Sequence, residues 1–147
     1  MNVPEYVSAK EVQEVCKKLA IRDWTQLKKA EVTLEEANKI LTEIEKGDMK
    51  ISVENFRIGL EVELEHGTRF PEANVTNNHP ILTGKIVLAH FKETLDYYQR
   101  LEVAEIEGDL LKAIISKNAA KTMSLYQRLL KAKHNLVQVE AETLKSH

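Results

Sequence analysis

Along most of this chain the apolar residues recur every three or four positions, the spacing that gathers them on one face of an α-helix. Ser8 followed by Glu11 forms a capping box, and Val12, Cys16 and Leu19 continue at helical spacing, predicting a helix from Ala9 to about Ala20. The next stretch, IRDWTQL, carries the lone tryptophan, Trp24, expected as a plug between helices. A second box, Thr33 with Glu36, opens LEEANKILTEIEKG, where Leu34, Ala37, Ile40, Leu41 and Ile44 trace one stripe and Gly47 supplies the stop. ENFRIGLEVELEHG satisfies two periods, since Phe56, Ile58, Leu60, Val62 and Leu64 alternate as a strand would. A helix is the better reading, because Phe56, Gly59, Leu60, Glu63, Leu64 and Gly67 also keep helical spacing, Ser52 can cap it, and no partner strand occurs elsewhere.

From Thr68 to His79 the Pro, Asn and Thr content predicts a loop. Asn78 is the expected cap of the next helix, with Pro80 in its first turn, where the missing N–H costs little. Ile81, Leu88, Phe91, Leu95, Tyr98 and Leu101 mark a long helix ending near Glu107 and Gly108. The tail from Asp109 to about Lys145 reads as another long helix, bent around Ser116 to Asn118. The expected fold is therefore all-α, a small multi-helix bundle with a long C-terminal helix. A core domain over 1–108 would hold a motif block at 52–107 and an inserted helix near 33–47, with 109–147 as a helical extension. No repeat of 20 to 50 residues is present.

Composition agrees with this pattern: of 147 residues 43% are hydrophobic and 30% charged, with five Gly and three Pro. One cysteine, Cys16, rules out an intramolecular disulfide and a cysteine-rich zinc site. The start, MNVPEYVSAKEV, has neither a basic nor an apolar leader segment, and no apolar run nears 18 residues, so a cytoplasmic protein without a membrane span is expected. The net charge of −2 is unevenly spread, with Lys and Arg against Asp and Glu at 9 to 10 for residues 1–53, 5 to 10 for 54–107 and 7 to 3 for 108–147. An acidic middle followed by a basic tail suits a solvated helix face, nucleic acid, an acidic partner or the other half of the same molecule. Nucleic acid is not the expected partner, because the tail has one arginine, Arg128, and no aromatic platform beyond Tyr126.

Candidate chemistry is confined to the central block. Glu63 and His66 stand three apart and share a helix face, and His90 with Glu93 repeats the pair in mirror order. Two helices each offering a carboxylate and an imidazole could hold a divalent metal such as iron, manganese or zinc, with Asp96, Glu61 and Glu65 orienting the imidazoles. Against this, a simple antiparallel pairing would leave His90 roughly 15 Å along its helix from the level of His66. Each residue also has an ordinary role: His66 at a helix C-terminus, His90 as a core histidine, Asp96 as a fastener between helices. Thr83, Gly84 and Lys85 imitate the end of a phosphate-binding loop, but His79 and Ile86 occupy the positions that would complete it.

In the tail, Met123, Leu130, Val137 and Leu144 recur every seven residues, as one seam of a coiled coil would. The companion positions Ala119, Tyr126, Lys133 and Glu140 argue against a long strict coil. These four apolar residues are the candidate interaction surface for self-association or a protein partner.

The phrases KKLAIRDW at 17–24, VELEHG at 62–67, NVTNN at 74–78, TGKIVLAH at 83–90 and DYYQRL at 96–101 resemble, in order and spacing, a family of small helical bacterial and phage domains of unknown function. The resemblance spans roughly residues 8 to 105. It implies a small helical domain and no catalytic residues. Where the family pattern has acidic residues before the proline, this chain has Asn78 and His79; residues 25–50 look inserted and 109–147 look appended. The function expected from all this is a non-enzymatic interaction or assembly role, in a bacterial cytoplasm or, if phage-encoded, as a virion component or host-interaction factor. The alternative is a helical metal protein.

Overall fold

A computed structural model describes residues 7–44 and 46–145. Among these there are six α-helices, two short 3-10 turns and no strand, so the all-α class holds. The chain divides into two compact units, residues 1–92 and 93–147.

In the first unit, α1 (Ala9–Leu19) starts where Ser8 Oγ accepts from the Glu11 N–H at 3.2 Å. It ends at Ala20, whose left-handed φ of 50° turns the chain back. A 3-10 turn, Trp24–Gln26, then buries Trp24 completely. The second capping box is complete at Thr33 and Glu36, opening α2 (Leu34–Glu43). This helix stops at Ile44, three residues before the expected Gly47, because Ile44 is extended and turns its side chain into the core. Leu34 is exposed, whereas Ala37, Ile40, Leu41 and Ile44 are buried as the stripe predicts.

The ambiguous segment is helical, as α3 (Val53–Arg69), capped by Ser52. Its buried Phe56, Leu60 and Leu64 follow the 3.6-residue period and pack with α2. A turn at Pro71–Ala73 leads through an Asn-rich loop to α4 (Pro80–Glu93). Gly84 lets α4 approach closely: a Cβ there would lie 3.0 Å from Ile40 and 3.2 Å from Ile44 and Phe56. The glycine that imitated a phosphate loop is thus a packing contact.

One expected helix is corrected. The run from Ile81 to Gly108 breaks after Glu93, and α5 begins anew at Tyr97 (Tyr97–Ile115). At the break the Asp96 carboxylate accepts from the Thr94 hydroxyl and forks onto Arg100 at 2.9 and 2.7 Å. Such short-range side-chain bonds compete with continuous helix. The boundary expected at Gly108 therefore falls inside α5.

In the second unit, α5 and α6 (Ala119–Lys145) form an antiparallel hairpin rather than a gently bent rod. Lys117 takes a left-handed φ of 54°, its N–H donating to Ile114 O, and the Asn118 side chain then caps α6 by accepting from the Lys121 N–H at 3.0 Å. Ile106 and Ala113 of α5 pack against Leu125, Leu129 and Ala132 of α6. Arg100 meets Glu140 and, seven residues on, Glu107 meets Lys133, each at 2.7 Å, which fixes the register. Among the described residues no helix is long and apolar enough to cross a membrane.

Candidate functional site

The helix α3 supplies Glu63 and His66, and α4 supplies His90 and Glu93. Glu63 is the hub. Its side chain is only 10% exposed, with Oε1 3.4 Å from His90 Nε2 and Oε2 3.8 Å from His66 Nδ1. His90 thus reaches the Glu63 level, which a simple antiparallel pairing of α3 and α4 forbids. His66 is two-thirds exposed and its Nδ1 also lies 3.1 Å from the Glu63 carbonyl oxygen, the local contact expected near a helix end. Glu93 closes α4 one turn beyond His90.

The spacings of 3.4 and 3.8 Å are those of carboxylate–imidazole pairs, with each oxygen of Glu63 facing a different ring. Among the described residues no group of three or more His, Cys, Asp or Glu side chains is arranged to hold a metal ion. The acceptors expected to orient the imidazoles are committed elsewhere. Glu61 pairs with Arg57 and accepts the Val32 N–H at 3.0 Å, Glu65 pairs with Arg69, and Asp96 holds Arg100.

Three buried polar groups were not singled out as an ensemble by sequence. Glu36, 4% exposed, does more than close its capping box: its carboxylate accepts Arg22 Nε at 2.8 Å and Nη2 at 2.7 Å, and the Trp24 indole N–H at 3.4 Å. Burial works against ionisation there, but the Arg22 guanidinium, the Thr33 backbone bond and Trp24 outweigh it and bring its pKa down to about 2. Asn78, expected to cap α4, instead adopts a left-handed φ of 60° and turns its amide inward. Its Nδ2 donates to Trp24 O at 3.3 Å, and its Oδ1 accepts from Asn74 Nδ2 at 3.2 Å. That Oδ1 fills the space where any side chain on Gly67 would stand, 2.0 Å from an added Cβ.

The cap of α4 is His79. The residue is 7% exposed, and Nδ1 accepts from the N–H groups of Ile81 and Leu82 at 3.2 and 3.3 Å, which requires an unprotonated Nδ1. Burial lowers its pKa, with Lys85 adding to the effect and Glu11 opposing it. A signal for this cap existed in the sequence, because a proline at the first helical position makes the preceding residue the cap. The Asn77 amide also donates to Val7 O, tying the loop to the start of α1.

The expected interaction residues lie on the second unit. Met123, Leu130, Val137 and Leu144 are all exposed, on the outer side of α6. Leu111, Ile114 and Ile115, which the heptad reading did not single out, are exposed as well, as is Tyr126 of the companion seam. Ile114, Met123 and Tyr126 line an apolar groove of about 660 Å³ near the hairpin tip.

Residues 12–107 match the family described as "Protein of unknown function (DUF5661)", and the chain belongs to that family. No curated protein and no solved structure matches it.

Proposed function

For this member of a family whose description assigns no activity, we propose a non-enzymatic interaction and assembly role, carried by the outer face of the α5–α6 hairpin. The observation behind it is that α6 bears two apolar stripes. At 100° per residue, Leu125, Leu129 and Ala132 fall on one side and are buried against α5. Met123, Tyr126, Leu130, Val137 and Leu144 fall about a third of a turn away and stand 50% to 79% exposed. Scattered exposed apolar residues need no explanation, but the cluster of Met123 and Tyr126 with Ile114 around one apolar groove is the mark of a docking surface. A phage origin, with a virion or host-facing role, fits the resemblance of the central phrases and belongs to the same proposal, as does a cytoplasmic site of action in a bacterium.

The test compares the tagged full chain with a Met123→Glu, Leu130→Glu variant, in cells also expressing untagged chain. The wild type should retain a protein, the untagged chain included, that the variant loses while keeping its helical circular dichroism. Identical retention profiles would sink the proposal. The second reading, a divalent cation at Glu63, His66, His90 and Glu93, draws its support from the two imidazoles that flank Glu63.

A further inference from the structure

We draw no further inference here: the strongest candidate, the apolar groove near the tip of the α5–α6 hairpin lined by Leu110, Ile114, Met123 and Tyr126, belongs to the docking surface already proposed, and nothing in the structure shows what covers it.

Discussion

Replacing His79 by Asn should remove a pH dependence from the stability of this protein while keeping the start of α4 capped. In the native chain the imidazole Nδ1 accepts from two backbone N–H groups at 3.2 and 3.3 Å inside a site only 7% exposed. Burial in this poorly hydrated place, with Lys85 adding to it, sets the folded pKa below the ordinary value of 6.5, and a proton on Nδ1 would in addition break both bonds. Between the folded pKa and 6.5 the unfolded chain holds more protons than the folded one, so stability rises with pH there. The stabilising effect is fully present above about pH 6.5 and is lost as pH falls from there toward the folded pKa. One proton limits the slope to about 1.4 kcal/mol per pH unit.

Asn is among the best N-caps and does not titrate, so His79→Asn should match the wild type to within about 1 kcal/mol at pH 7.5. At pH 5.5 the variant should have gained stability relative to the wild type compared with pH 7.5. His79→Ala should lose about 1 kcal/mol at pH 7.5 as well as the slope. Urea melts followed by Trp24 fluorescence and circular dichroism at pH 7.5, 6.5 and 5.5 measure this. The difference between the two proteins isolates His79 from the other histidines and from Glu11 and Lys85 nearby. Parallel stability curves for wild type and His79→Asn would refute the reasoning.

Glu36→Gln leaves the Arg22 guanidinium without its forked acceptor and should cost about 2 to 3 kcal/mol in a urea melt at pH 7. Because the Glu36 pKa is held at about 2, its stabilising effect should be complete above about pH 4.5 and fade as pH falls toward 2, a fade that the variant lacks. Gly84→Ala sets a methyl against Ile40, Ile44 and Phe56, and the overpacking, about 1 to 3 kcal/mol, should exceed the helix-propensity gain of about 1 kcal/mol. A variant more stable than wild type would mean that the α2–α4 approach is looser than described. Elemental mass spectrometry of untagged protein decides the cation reading: near-stoichiometric iron, manganese or zinc that disappears in His66→Ala, His90→Ala supports it, and a metal-free, folded wild type refutes it.

The parts of the fold legible in the sequence are those written in local chemistry. Thr33 with Glu36, Ser52 and Ser8 start helices where their side chains meet backbone N–H groups three residues on, so spacing alone finds them. Breaks were harder to find. Leu95, Tyr98 and Leu101 keep helical spacing straight across the Thr94–Asp96 interruption, and the interruption depends on where the Asp96 carboxylate turns, which periodicity does not record. Long-range polar contacts were invisible for a similar reason. Glu36 reads fully as half of a capping box, yet its other role, gripping Arg22 and Trp24, joins residues 12 and 14 positions apart. At the candidate site, the carboxylate–imidazole spacing on each helix was legible, but the meeting of Glu63 with His90 depends on how α4 is carried past α3 by the intervening loop.

The two functional readings occupy separate stretches of the chain. Glu63, His66, His90 and Glu93 lie inside the family match at 12–107, whereas Leu111, Ile114, Met123, Tyr126, Leu130, Val137 and Leu144 lie beyond it. Within the first unit the buried polar groups serve the fold: Glu36 is saturated by Arg22, Trp24 and Thr33, Asn78 by Trp24 and Asn74, and His79 by α4. The apolar surface of the second unit has no such account, because α5 covers only one of the two stripes of α6. A hairpin needs only its inner seam to hold together, so each outer Met, Leu or Val adds aggregation risk unless something covers it. This asymmetry favours an assembly role specific to the C-terminal hairpin. Any chemistry at Glu63, by contrast, would belong to the shared family domain, and substitutions in one stretch should leave the other's readout unmoved.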